Sequence, residues 1–264
     1  MKPRFPANLF AGTADEYIRY RVPYPDSLIR DLLGRVPANG HGLLVDLGCG
    51  PGRLTFCLAP HFATVRACDL EPGMIAAAQV ESRRRGFSQI HWEVGLAEEL
   101  TIAPGSVELV AIGEAFHRFN QPAVIAAAAR WLRPGGAIAT VGSYILADRN
   151  VPWQRSVLEV VAQFEQSRPA TFPAASEMGP AHDETLFRNA GFTDVKSHPF
   201  VTDHTWTAES ILGYLRSTSF ASRARLGNRA DEFAQAIGRA LEPHLVDGVI
   251  HDRIQFGYTF ARKV

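Results

Sequence analysis

Between residues 43 and 144 short apolar runs alternate with stretches whose apolar positions recur every three to four residues. That rhythm predicts βα units feeding a mostly parallel sheet. Leu43 to Leu47 reads as a first strand, and Leu54, Cys57 and Leu58 then form one face of a helix. A second strand is expected over Thr64 to Leu70. It is followed by a helix from about Pro72 to Arg85, with proline in its first turn and Gly86 as its C-terminal cap. Gln89 to Val94 and Val107 to Ile112 read as strands three and four, the latter rich in branched residues as a buried central strand should be. Asn120 and Pro122 open an alanine-rich helix that runs to Leu132, the Arg133-Pro134-Gly135-Gly136 stretch breaks it, and a fifth strand runs from Ala137 to about Tyr144.

After strand five the rhythm stops for about forty residues, which reads as an insertion. Val157, Leu158, Val161 and Phe164 mark an amphipathic helix there, and the proline-rich stretch from Arg168 to Pro180 reads as loop. A helix around Glu184 to Ala190, a strand over Thr193 to Phe200, and helices over 207–220 and about 229–246 follow. Ile254, Phe256, Tyr258 and Phe260 then alternate in a final strand with one apolar face, the pattern of an edge or antiparallel member. The expected fold is α/β: a Rossmann-like doubly wound sheet, mostly parallel with an antiparallel C-terminal strand, plus a helical cap. The expected organisation is opening lid helices over 1–35, a core over 36–145, a cap insertion over 146–185, and C-terminal core strands with inserted cap helices over 186–264. No internal repeat is visible.

The first strand runs into Gly48-Cys49-Gly50-Pro51-Gly52-Arg53, a glycine turn opening a helix. Glycines at such a turn accept positive φ and let the backbone approach a ligand closely. Dinucleotide loops follow G-x-G-x-x-G, whereas this loop is G-x-G-x-G with the bulky Arg53 where the third glycine would stand. Asp46, on an otherwise apolar strand, would repel a pyrophosphate and is costly to bury unless a cationic or hydrogen-bonding group meets it. A tight structural turn without a ligand is the alternative reading. Asp69, at the end of strand two and about twenty residues after Asp46, has the spacing at which nucleotide folds place an acid on ribose hydroxyls.

These features together resemble the class I S-adenosylmethionine (SAM) dependent methyltransferases, most closely the "type 11" small-molecule group that includes relatives of trans-aconitate and ubiquinone-pathway methyltransferases. The resemblance covers nearly the whole chain. Tyr17-Ile18-Arg19-Tyr20-Arg21-Val22-Pro23-Tyr24-Pro25 resembles that group's Y-x-x-Y-R-P-x-Y-P opening segment, with Val22 at the usual proline position. Ala97-Glu98-Glu99-Leu100 resembles its A-E-E-L turn, Ala115 to Asn120 its A-x-H-W-F-D segment, Leu132 to Gly136 its L-x-P-G-G turn, and Trp206 to Ser219 its W-T helix. The resemblance implies that Asp46 and the backbone of Gly48, Cys49 and Gly50 hold the methionine end of SAM, and that Asp69 holds its ribose. Leu70 and Met74 would flank adenine, with Ala97 and Glu98 on the adenine side. Many relatives carry an aspartate just before that turn, where this chain has Leu96. Tyr20 and Arg21 would close over the cofactor, with Arg21 pairing its carboxylate. Apart from the resemblance, Glu114 is a candidate to touch the cofactor or carry charge near the sulfonium, with a solvated loop residue as the alternative.

Methyl transfer needs alignment and exclusion of water, and a base only for acceptors that must lose a proton. His117, following strand four at the carboxyl edge of the sheet, is the candidate base; a loop-orienting role is the alternative. Trp153, His182, His204, Trp206 and Tyr214 suggest an aromatic acceptor pocket. The expected activity is methyl transfer to a small organic acceptor, at the oxygen of a hydroxyl, phenol or carboxylate. Carbon methylation and a non-methylating SAM-fold protein, a pseudoenzyme or cyclase, are the rivals.

Lysine plus arginine and aspartate plus glutamate both number 27, so the formal charge is zero and no polyanion footprint exists. Nucleic acid is therefore not an expected partner. Cys49, Cys57 and Cys68 fit neither a disulfide framework nor a metal site, so no metal is expected. No apolar run reaches the roughly 18–20 residues that cross a bilayer. The chain is expected to be cytoplasmic, without a membrane partner; a homodimer stays open.

Overall fold

A computed structural model describes residues 10–36, 40–146, 148, 150–164 and 179–264. Most of the expected 168–180 loop lies outside the described residues. In chain order the elements are α1 (Ala14–Tyr20), α2 (Asp26–Arg35), β1 (Leu43–Leu47), α3 (Arg53–Leu58), β2 (Thr64–Asp69), α4 (Pro72–Arg85), β3 (Ile90–Val94), β4 (Val107–Gly113), α5 (Gln121–Trp131) and β5 (Leu132–Ser143). Then come α6 (Pro152–Phe164), α7 (Pro180–Asn189), β6 (Thr193–Thr207), α8 (Ala208–Arg216), α9 (Arg223–Leu226), α10 (Ala230–Leu241) and β7 (Val249–Arg262). One seven-stranded sheet has the order β3-β2-β1-β4-β5-β7-β6. The first five strands are parallel, and β7 runs antiparallel to both β5 and β6.

Apolar residues on opposite faces of these strands build two core layers, which is what a doubly wound sheet requires. On one face Leu44, Val65, Leu109, Ala139, Phe256 and Phe260 join α2, α3, α6, α8 and α10. On the other, Val45, Leu47, Val110, Ile112 and Ile138 pack with α5 and α7. No helix among the described residues is long and apolar enough to cross a membrane.

Several elements differ from expectation, α7 for instance beginning at Pro180 rather than around Glu184. β5 begins at Leu132, before the Pro-Gly-Gly stretch, because Leu132 pairs with Val107 while Ala137 pairs with Leu109 and the residues between bulge out. Gly136 makes this possible: a Cβ there would lie 2.9 Å from the Val107 carbonyl oxygen. β6 continues seven residues beyond Phe200. Its inner positions there are Thr202, His204 and Trp206, only one of them strongly apolar, so the hydrophobic alternation is hidden. β7 takes the antiparallel alternative and lies inside the sheet, leaving β6, which carries Pro199, at the edge.

The turn between β1 and α3 is held by aromatic packing behind it. Phe56 stacks on Phe87 with ring centroids 5.7 Å apart and meets Trp92 at 5.6 Å. Gly52, with φ +88°, faces both: a Cβ would lie 2.7 Å from Phe56 and 2.8 Å from Trp92. Gly52→Ala is therefore expected to destabilise the protein by about 1–3 kcal/mol through overpacking, read as a lower urea midpoint. An unchanged midpoint would show that the rings give way freely.

Candidate active site

Each glycine of the loop has a different surrounding. A Cβ on Gly48 would meet Ala115 Cβ at 2.6 Å and Phe119 at 3.0 Å, so Gly48 lets the segment after β4 close onto the loop. Gly52 is filled from behind, as described. Gly50, with φ +53°, has nothing within 4 Å of the same position, and its open face is a place for a ligand. The loop's donors are largely committed. Cys49 N–H donates to the Cys68 carbonyl at 2.9 Å, and Gly50 N–H donates to Asp69 Oδ2 at 2.8 Å. Unlike a phosphate-binding loop, which aims its N–H groups at the ligand, this one spends them internally.

Two acids flank the loop. Asp46, fully buried on β1, accepts a hydrogen bond from Thr55 Oγ1 at 2.5 Å, while its Oδ1 is buried without a partner. Burial pushes its pKa up to about 7, against the pull of the Thr55 bond. An orphaned acceptor of this kind is costly, and an ammonium group nearby would relieve it. Asp69 accepts from Glu71 N–H at 2.9 Å as well as from Gly50. Burial raises its pKa, opposed by those two backbone bonds and by Arg118. Each Asp69 oxygen keeps a lone pair for a further donor.

Leu70 follows directly, Met74 is buried in the first turns of α4, and Ala97 is buried in a short 3-10 turn. Glu98 Oε1 accepts from Asn120 N–H at 3.0 Å, which ties that turn to the start of α5.

Beyond β4, Glu114 adopts φ +55°, a left-handed conformation that a non-glycine residue holds only when its surroundings enforce it. Its amide donates to the Val141 carbonyl at 2.8 Å and Ser143 Oγ donates to Oε1 at 2.6 Å. Burial raises its pKa, and Ser143, Arg21 and Arg118 oppose the rise. His117 sits in the adjacent 3-10 turn and lines a cavity of about 140 Å³ together with Glu114, Ser143, Thr140 and Asp183. Asp183 accepts from Thr140 Oγ1 at 2.7 Å, and burial pushes its pKa up to about 6. The sequence reading missed Asp183: one residue before an expected helix it reads as a solvated first-turn acid.

The two residues expected to close over the cofactor, Tyr20 and Arg21, divide. Arg21 Nε donates to Ser217 Oγ at 2.8 Å, and its guanidinium lies 4.6 Å from the centre of the Tyr17 ring and 4.9 Å from that of Tyr214. Tyr20 does not join it. Its hydroxyl donates to Glu209 Oε1 at 2.6 Å and its ring covers Gly213 on α8. Consecutive residues at a helix end point about 100° apart, and with α1 docked on α8 it is Tyr20 that is turned toward Glu209 and Gly213; Tyr17, four residues before Arg21, shares its side. The expected aromatic pocket is instead a packed cap core. Trp206 meets Trp153, His204 and Tyr214 with ring centroids 6.4, 4.3 and 5.7 Å apart. His182 bonds Gln121 at 3.1 Å.

Residues 44–136 match the model of a family described as a methyltransferase domain. The chain is 23% identical over 238 residues to an uncharacterised methyltransferase of Schizosaccharomyces pombe, covering 88% of this chain and 89% of that one. It is 26% identical to nocamycin O-methyltransferase of Saccharothrix syringae, covering 97% of this chain and 95% of that one. Its fold matches a structure described as a type II methyltransferase from Anaeromyxobacter dehalogenans, with TM-score 0.66, 24% identity, and 92% and 97% of the two chains covered. The matched segment begins on β1 and contains Asp46, the open glycine and Asp69, and together these likenesses support a SAM-dependent methyltransferase.

Proposed function

We propose that this methyltransferase acts on an oxygen of a small organic acceptor, with SAM held along the glycine loop and the acceptor beside Glu114 and His117. The open face of Gly50, between Asp69 and the orphaned Asp46, supports this placement of the cofactor. The likeness to nocamycin O-methyltransferase across nearly the whole chain supports oxygen as the target. When bound, SAM supplies an electrophilic methyl group on a positively charged sulfur.

Asp46, with the Gly48, Cys49 and Gly50 backbone presenting carbonyl oxygens, would face the ammonium of the methionine end. Arg21, held by Ser217, would meet the carboxylate. Asp69 would accept from the ribose hydroxyls. Leu70 and Met74 would enclose adenine, with Ala97 and Glu98 along its edge. Glu114, locked by Ser143, would set a negative potential near sulfur. For a hydroxyl or phenol acceptor His117 would take the proton. Tyr17 takes the lid position that Tyr20 leaves.

Gly50→Ala places a methyl group in the open face and is expected to abolish S-adenosylhomocysteine binding while shifting stability far less than Gly52→Ala; retained binding, by calorimetry, would move the cofactor elsewhere. The Asp46 carboxyl, held at about 7 against an ordinary 3.8, is mostly protonated at pH 6. A ligand that needs its charge should bind about tenfold more weakly at pH 6 than at pH 8. The unliganded protein should lose stability as pH rises through the window from 3.8 to about 7, since the unfolded chain holds fewer protons there. Asp46→Asn should flatten both profiles, and a flat wild-type profile would detach Asp46 from the site. His117→Ala should leave cofactor binding intact and slow transfer to a hydroxyl acceptor about 10²–10⁴-fold, whereas an acceptor already ionised should keep its rate. Loss of cofactor binding in that variant would make the histidine structural.

A further inference from the structure

We propose that Arg53 anchors a negatively charged acceptor, and that the group methylated is a carboxylate. This rests on the oxygen-transfer reading and narrows it.

Arg53 opens α3 immediately after the glycine loop and is half-buried. It makes no hydrogen bond or ion pair with any described residue. Of the other half-buried arginines, Arg21 is engaged with Ser217, Arg35 with Asp31 and Tyr258, and Arg66 with Glu93, whereas Arg216 on α8 has its Nε buried without a partner. Its electrostatic neighbours are the hydroxyl-bearing rings of Tyr24 and Tyr17, the Cys57 thiol and a second guanidinium, Arg21. A guanidinium this enclosed, beside another cation, lacks a counter-charge.

The distribution of charge points the same way. Around Tyr17 stand three guanidiniums, Arg21, Arg53 and Arg118, and one carboxylate, Glu114, while Tyr24 has Arg53 as its guanidinium and Glu114 and Asp46 as its carboxylates. Arg118 also faces Asp69. With the cofactor in the proposed position, its ammonium is met by Asp46, its carboxylate by Arg21 and its sulfonium by Glu114. Arg53 is left over, and one acceptor anion balances it.

The tyrosines complete the site. Burial raises both hydroxyl pKa values, so Tyr17 and Tyr24 remain donors at neutral pH. The Tyr24 hydroxyl lies against the end of β4, where a Cβ on Gly113 would come within 2.7 Å of it. It thus lies one residue from Glu114, beside the place where methyl transfer is proposed. A carboxylate held by a planar guanidinium and a phenol gains charge-assisted hydrogen bonds that offset its desolvation. One of its oxygens then donates a lone pair to the methyl carbon. The O–CH₃ bond forms, the S–CH₃ bond breaks with its electron pair moving to sulfur, and no proton moves. The products are a methyl ester and S-adenosylhomocysteine, and His117 has no proton to take.

The test uses the protein loaded with S-adenosylhomocysteine and titrates benzoate against its neutral isostere benzamide, in wild type, Arg53→Gln and Arg53→Lys. The expected result is benzoate binding at least tenfold tighter than benzamide, a preference erased in Arg53→Gln and partly restored in Arg53→Lys, with S-adenosylhomocysteine affinity within twofold throughout. The urea midpoint of each variant shows whether it is folded, and Arg53→Lys carries the test if Arg53→Gln is not. Absence of benzoate binding, equal binding of the two probes, or a preference that survives Arg53→Gln overturns the proposal. So does a parallel loss of S-adenosylhomocysteine affinity, which would give Arg53 to the cofactor. Failure of the wild type to bind S-adenosylhomocysteine would instead remove the cofactor placement. Alkali-stable transfer of labelled methyl to a phenol would retain oxygen transfer and discard the carboxylate.

Discussion

The hydrogen bond from Gly50 N–H to Asp69 Oδ2 joins the turn after β1 to the end of β2, and the rest of the site is arranged around it. Strand pairing alone brings the two strands into register, Asp46 opposite Ala67 and Leu47 opposite Cys68. It does not decide how the chain leaves them. The Asp69 carboxylate does, by taking the N–H that a free glycine loop would offer to a phosphate and by taking Glu71 N–H with its other oxygen. What remains exposed is an open glycine face bordered by acids. Such a face suits a cationic, hydroxyl-rich ligand, and its committed N–H groups separate this loop from dinucleotide-binding ones.

The second constraint is electrostatic. Asp46, Asp69 and Glu114 are all carboxylates whose pKa values burial raises, and Arg53 and Arg118 are guanidiniums that burial lowers, Arg118 to about 10. Charges gathered in a poorly solvated region interact strongly and cannot relax into water. Such an arrangement is stable only if opposite charges interleave, and it is preorganised for a ligand that completes the pattern. The strained Glu114 backbone and its short bond from Ser143 fix one element of that pattern at the carboxyl end of β4.

The cap works through the long β6–β7 ladder. Thr207 pairs with Val249, so α8 to α10 leave and return at one end of a single hairpin. Trp206, at that end, donates from Nε1 to Asp252 Oδ2 at 3.2 Å and packs on Trp153 of α6 and Tyr214 of α8. Tyr214 in turn faces Arg21, and Ser217 holds it. An aromatic core residue therefore connects the sheet to Arg21.

The periodicity from residue 43 to about 144 was enough for the parallel core, because β1 and β4 are apolar runs interrupted only by Asp46 and by Glu108, and α3, α4 and α5 carry proline, asparagine or glycine at their ends. The G-x-G-x-G spacing, Asp46 and Asp69 were legible for the same reason: few residue types tolerate a positive φ or a buried charge, so their presence is informative by itself. Other features were not legible. The length of β6 was hidden because its inner face carries threonine and histidine. Tyr20 and Arg21 are adjacent in sequence, and only the docking of α1 on α8 turned one outward and the other inward. Asp183 and Arg53 look like ordinary charges at helix starts; what distinguishes them is enclosure, and enclosure depends on which distant segments pack over a residue. Local preference determined the elements and the chemistry available to the loop, while tertiary packing decided which of the charged side chains lost water.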